Sequence, residues 1–239
     1  MNNTTLQLKH TGVFTKNYNA FTDPNIRFLI NQGGSRSSKT YSICQLILWY
    51  CLTNKNKTVS VVRRGGPALF ASVYRDFLGI LQDLELYDYI KHNKSSGSFT
   101  FPNGCMVQFF SIDDQQKLRG RKHNVIFINE ANEITKEEFM QINMRTTDKI
   151  IMDFNPSDPF SWVIEQTQDP KAVLIHSTYR DNPFLEEEIV REIENLINTD
   201  QSYYEIYALG ILPNGKENVF NTLHTTEFPD DIDFVDGIS

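Results

Sequence analysis

The chain has 239 residues, 40% of them hydrophobic and 22% charged, which supplies enough apolar material for one substantial packed domain and excludes a disordered or disulfide-stapled class. Its polar start, MNNTTLQLKH, excludes a signal peptide, and its longest apolar run, ICQLILWYCL (43–52), is about half of a membrane span, so the expectation is a soluble intracellular protein with no membrane partner. The net charge of −7 is misleading: TEFPDDIDFVDGIS (226–239) holds five acids and no Lys or Arg, and residues 1–225 carry only −2, which neither excludes nor supports a local nucleic-acid surface.

In chain order, IRFLINQ (26–32) reads as a strand and SKTYSICQLILWYCL (38–52) as a helix apolar on most sides, hence buried. Cys44, Cys51 and Cys105 are an odd count, expected as reduced thiols, and the first two read as core packing. TVSVVRR (58–64) is a second strand. Pro67 fits the first turn of one long helix, PALFASVYRDFLGILQDLEL (67–86). SFTFPNGCMVQFFS (98–111) reads as a hairpin with PNG at its turn, and NVIFIN (124–129) as a central strand. Thr135 and Glu138 make a capping box for TKEEFMQINMR (135–145). Two more strands follow, KIIMDFN (149–155) and KAVLIHST (171–178). Asp158–Pro159 and Asn182–Pro183 read as helix starts for PFSWVIEQT and the acidic FLEEEIVREIENLIN. Strands alternating with helices predict an α/β fold, a mostly parallel sheet between helical layers over residues 1–212, with 213–239 as an acidic linker.

The stretch NQGGSRSSKT (31–40) closes the first strand and opens the first predicted helix. Gly33, Lys39 and Thr40 match G-x-x-x-x-G-K-[ST], while Ser38 stands where the second glycine belongs. Gly33, Gly34, Ser35, Arg36, Ser37, Ser38, Lys39 and Thr40 would form a phosphate cradle at a helix N-terminus, with Lys39 on the β/γ oxygens and Thr40 on Mg²⁺. Arg36, a cation inside the loop, could touch the γ-phosphate of ATP. The plain alternative is a serine-rich turn that only caps a helix.

Glu130 directly follows an apolar strand, at the sheet edge where ligands bind, and is placed to deprotonate an attacking water. The Asp usually found just before such a residue is here Asn129, whose amide oxygen can still accept from a metal-bound water. In MDFNPSDP, Asp153 and Asn155 end another strand, where a polar side chain could report on the γ-phosphate. KLRGRKHN (117–124) offers Arg119 or Arg121 as an arginine finger toward a neighbouring subunit, or as a DNA phosphate contact; Arg63 and Arg64 are weaker candidates for phosphate. The five histidines have no metal-ligand spacing. Tyr18 or Phe21 could stack on a base.

Taken together, GGSRSSKT, VIFINEANE and FNP resemble, in order over about residues 25–220, the arginine-containing Walker A loop, the Walker B strand and the coupling motif of the ATPase domain of phage large terminases. The resemblance implies a P-loop NTPase of the additional-strand, catalytic-glutamate (ASCE, RecA-like) class with a three-layer sandwich. It implies ATP and Mg²⁺ as cofactors, Glu130 as catalytic base, Arg36 as γ-phosphate sensor and Asn155 as the coupling residue. It favours a trans finger at Arg119 or Arg121 without choosing between them. It further implies double-stranded DNA, a portal protein and a small terminase subunit as partners, and a ring on the procapsid in the host cytoplasm. The domain would be a monomer in isolation, and the nuclease domain such proteins carry is expected to lie outside this chain. Two other readings stand beside it. A helicase-like or recombination ATPase would need further motor motifs; a nucleotide-binding module without hydrolysis would bind ATP with no turnover.

Overall fold

A computed structural model of the chain describes residues 8–114, 122–159 and 161–212. β-Branched and aromatic runs form eight strands: β1 (Phe28–Gly33), β2 (Thr58–Arg63), β3 (Lys91–Asn93), β4 (Ser98–Thr100), β5 (Met106–Ser111), β6 (His123–Ile128), β7 (Thr146–Phe154) and β8 (Ala172–Ser177). They make a single sheet in the order β3-β4-β5-β2-β6-β7-β1-β8. From β5 through β8 every pairing is parallel, and β3 and β4 extend the sheet as an antiparallel edge. The mostly parallel three-layer architecture expected from the sequence is therefore present.

Strand residues alternate between two apolar layers, as the period of 2 requires. Leu29, Val61, Phe127 and Ile151 face one layer with α1 (Gly12–Thr22), α2 (Lys39–Thr53) and α4 (Val73–Asp83), where Phe21, Ile47 and Phe77 close the core. Ile30, Ile128 and Met152 face the other, packed on Phe139 and Ile142 of α5 (Lys136–Arg145) and Val163 of the short α6 (Trp162–Gln166). The helix α1 has no counterpart in the sequence reading. Its Val13, Phe14, Tyr18 and Phe21 are spaced for one face, but Thr and Asn between them weaken the signal. Reciprocal amide bonds between buried Asn17 and Asn31, at 2.7 and 2.9 Å, tie it to β1.

The predicted helix 67–86 is two helices, α3 (Gly66–Ala71) and α4, broken at Ser72, whose φ of −117° and ψ of −102° lie outside helical space. The capping box at Thr135 forms as expected. Asp158 and Asn182 are not helix caps: Ser161 caps α6, and Glu186 holds the N-cap position of α7 (Glu187–Thr199). Asn182 instead donates from Nδ2 to the Arg36 carbonyl at 2.9 Å, tying the loop after β8 to the phosphate loop. After α7 a π-helical turn, Tyr204–Ala208, packs Tyr204 and Ala208 on Tyr179 in a third, smaller cluster. Cys44, Cys51 and Cys105 are all buried and unpaired. No helix among the described residues is long and apolar enough to cross a membrane.

Candidate active site

Because β1, β6, β7 and β8 run parallel, the loops that leave their carboxyl ends converge on one edge of the sheet. The β1–α2 loop is held there by very close backbone packing. A side chain on Gly33 would place its Cβ 2.2 Å from the Ser177 carbonyl oxygen, and one on Gly34 would lie 2.2 Å from that of Ala208. The Ser35 amide donates to the Tyr207 carbonyl, and the Gln32 side chain to that of Gly210 at 2.9 Å. Arg36 and Ser38 have positive φ, 63° and 66°. Ser38 thus adopts the left-handed conformation that the second glycine of the generic motif provides without strain. Its hydroxyl bonds Thr11 Oγ1 at 3.0 Å, and Thr11 in turn bonds Ser42 at 3.1 Å.

Lys39 is folded back into this loop. Its ammonium donates to the carbonyls of Gly33 (2.9 Å) and Gly34 (2.7 Å), to Asn155 Oδ1 (3.1 Å) and to Ser37 Oγ (3.3 Å). Burial pulls its pKa below the usual lysine value, against the attraction of Asp153 and Glu130. The Arg36 side chain is exposed, with no hydrogen bond or ion pair to the other described residues.

Asp153, at the end of β7, is the hub of the acidic half. Its carboxylate accepts from Thr40 Oγ1 (2.6 Å), from Asn129 Nδ2 on both of its oxygens (3.0 and 3.2 Å) and from the Glu130 backbone N–H (2.9 Å). Glu130 itself sits at φ 52° and ψ 61°, a left-handed turn that swings the chain away from the sheet directly after β6. Burial, reinforced by Asp153, pushes its carboxyl up to about 7, opposed by Arg63 and Lys39. A cavity of about 760 Å³ lies over these groups, lined by the loop from Ser35 to Tyr41, by Glu130, Asn155 and Asp76, and by Lys9, His10, Gln45 and Phe184. It brings together a cradle, a lysine, a hydroxyl and a carboxyl group. This is the set that binding a polyphosphate and activating a water would need.

The residues from Ser35 to Thr40, Glu130 and Asn155 all line that cavity; Gly33 and Gly34 underlie it. Asn129 lies beneath, 2% exposed and bonded to Asp153. Arg119 and Arg121 lie outside the described residues. Tyr18 and Phe21 are not base-stacking residues: they pack edge-on against Trp49 and Tyr50 in the α1–α2 core. The segment Lys9–Thr11 supplies that wall of the cavity instead, pinned by Gln45, which donates to the Lys9 carbonyl at 2.8 Å. Nor are Arg63 and Arg64 directed at the cavity, because Glu133 and Glu138 hold their guanidinium groups. Two acids escaped assignment from sequence. Asp153 was visible only as a strand-end acid. Asp76 is an inward-facing helix residue whose carboxyl is raised by burial.

Comparison with known proteins places this geometry in context. The family model for the phage terminase large subunit matches residues 25–211. The PBSX phage terminase large subunit of Bacillus subtilis (strain 168) is 26% identical over 213 residues, 77% of this chain and 48% of that protein. The large terminase of a thermophilic bacteriophage superposes with a TM-score of 0.72 at 17% identity, over 85% of this chain and 54% of that one. That relative has also been solved with ADP and with ATP-γ-S. A substituted form of the ATPase domain of the Thermus phage P74-26 large terminase gives a TM-score of 0.66 at 10% identity, covering 87% of this chain and 96% of that domain. The chain thus spans about half the length of the full-length relatives it matches and nearly all of an isolated ATPase domain.

Proposed function

The chain belongs to the phage terminase large-subunit family, and from that premise we propose that residues 1–212 act as its ATP-hydrolysing motor, driving double-stranded DNA into a procapsid. The observation that carries the reading is the convergence of Lys39, Thr40 and Glu130 on one cavity beneath a helix N-terminus. The relatives solved with ADP and ATP-γ-S support the choice of nucleotide.

On this reading the nucleotide phosphates displace the loop carbonyls from Lys39, which exchanges neutral partners for charged ones. Backbone amides from Arg36 to Lys39 orient the β- and γ-phosphates. Water attacks the γ-phosphorus in line, the bond to the β-bridging oxygen breaks toward ADP, and the proton of the water passes to Glu130. A carboxyl held near neutrality is suited to take that proton and release it again. Arg36, exposed on the loop, is the cation for γ-phosphate charge. Asn155 bonds both Lys39 and Ser35 (3.3 Å), so a change at the γ-phosphate reaches β7 through it. Mg²⁺ fits the residues present: Thr40 has a hydroxyl at the helix start, and Asn129 keeps a buried amide oxygen with no partner among the described residues, free to accept from a metal-bound water. When bound, the ion would neutralise β/γ-phosphate charge.

Double-stranded DNA, the portal protein and the small terminase subunit are the proposed partners. A ring on the procapsid would multiply a few cations per subunit, which suits a body of low net charge. A trans-acting finger at Arg119 or Arg121 and a linker role for the acidic 213–239 belong to the same proposal. Its test is Mg²⁺-dependent ATP hydrolysis against protein concentration, with Glu130→Ala as control. Turnover per subunit that rises with concentration and vanishes in the variant is expected. Concentration-independent turnover removes the trans finger. ATP binding with no turnover above the variant at any concentration, with DNA present, converts the reading to a binding module.

A further inference from the structure

Between the end of β6 and Glu130 the chain carries an amide, Asn129, where an acid is expected next to the metal, yet a carboxylate stands directly beside it. In the β6–β7 ladder Ile128 is level with Met152, so the next residues, Asn129 and Asp153, are cross-strand neighbours. Both are almost fully buried, at 2% and 1% exposure. We propose that Asp153 supplies the negative charge that Asn129 lacks, so that the metal-orienting acid of this ATPase has moved one strand over, from β6 to β7. The inference rests on the ATPase reading above.

Two observations carry it. First, Asp153 already holds the hydroxyl proposed to ligate the metal, accepting from Thr40 Oγ1 at 2.6 Å. A carboxylate in that place orients the hydroxyl and gives the site a charge. Secondly, the amide orientation of Asn129 is dictated by the same carboxylate. Its Nδ2 must face Asp153, since the reverse would set oxygen against oxygen, and Oδ1 is thereby left as a buried acceptor with no partner among the described residues. Leaving such an acceptor dry is costly, whereas a metal-bound water would satisfy it. The pair thus divides two tasks that one aspartate performs elsewhere: Asp153 provides charge, and Asn129 provides the water acceptor. Asp153 is a positioning residue, acting through Thr40 and Asn129.

A role limited to holding the fold predicts something different, and a charge exchange separates the two. Titrating a fluorescent ATP analogue in Mg²⁺ and in EDTA measures how far the metal tightens binding, and Mn²⁺ electron paramagnetic resonance counts bound metal directly. Asp153→Asn is expected to leave affinity in EDTA close to wild type while reducing the metal-dependent tightening and Mn²⁺ affinity by about 10–100-fold. The double variant Asn129→Asp/Asp153→Asn keeps one acid and one amide, guards against a simple folding defect, and is expected to recover most of that loss. Asn129→Asp alone, which places two carboxylates side by side, should not improve on wild type. Unchanged metal dependence in Asp153→Asn, or a folded double variant with no recovery, overturns the proposal. Wild-type protein that binds no nucleotide even in EDTA would instead overturn the ATPase reading, and this inference with it.

Discussion

Glu130 is a residue placed against its own preference. Burial is the main cause of its raised pKa, with Asp153 adding to it, and the outcome is a carboxyl at about 7 where 4.5 is ordinary. The sign follows directly: between 4.5 and about 7 the folded chain keeps a proton that the unfolded chain has released. Stability is therefore lost as pH rises through that window and stays low above it. Glu130→Gln removes the ionisation, so without metal or nucleotide it should be more stable than wild type, by on the order of 2 kcal/mol, at roughly pH 8. At roughly pH 5 the difference should nearly close. Urea denaturation at both pH values in EDTA measures it, and equal stabilities at both would mean an ordinary, solvated acid. The position of Glu130 was legible in the sequence, because an acid at the end of an apolar strand needs only local pattern. Asp153 was not, because its partners Thr40 and Asn129 lie 113 and 24 residues away and only strand order brings them together.

At the scale of elements, the phosphate loop is shaped as much by the chain's last described segment as by its own residues. Gly210 has φ +65°, and a Cβ there would lie 2.3 Å from Gly33 Cα, while the Gly210 carbonyl accepts from Gln32. No sequence motif marks this crossing; the spacing from Gly33 to Gly210 spans nearly the whole fold. Gly210→Ala should therefore cost about 2–4 kcal/mol from left-handed strain and overpacking together, and weaken nucleotide binding by displacing the loop. Gly79, inside α4, is the matched control: nothing lies within 4 Å of its Cβ position, and Gly79→Ala should stabilise by about 0.5–1 kcal/mol. Chemical denaturation of the two variants tests the pair, and a neutral Gly210→Ala would dissolve the argument. Elements that rest on local chemistry were readable in advance: the Thr135 capping box, the 98–111 hairpin, the strands of the parallel core. Those that depend on distant contacts were not. Ser72 breaks the 67–86 helix, and Asn182 leaves its capping role to bond Arg36.

For the whole molecule, the open question is whether the smaller cluster of Tyr179, Tyr204 and Ala208 unfolds with the sheet or before it. α7 has no fully buried residue, which by itself favours early local opening. Against that, the turn following it is bonded to the loop at Ser35 and Gln32, and Asn182 reaches Arg36. The cavity is lined from α2, from the ends of β6 and β7, from Lys9–Thr11 and from the stretch before α7, so a ligand filling it braces every one of these parts. Ligand held at about a hundred times its Kd stabilises the folded state by about 2.7 kcal/mol. For a domain of this size that corresponds to a rise in Tm of roughly 5–10 °C. We expect a single calorimetric transition that moves as a unit by that amount on addition of ATP-γ-S and Mg²⁺. Two transitions, with the nucleotide shifting only the lower, would mean that the loop's contacts to Tyr207 and Gly210 are too weak to couple the cluster to the sheet. In that case nucleotide binding would order the region after β8 rather than meet it preformed, and the phosphate loop would gain its final shape only with the ligand in place.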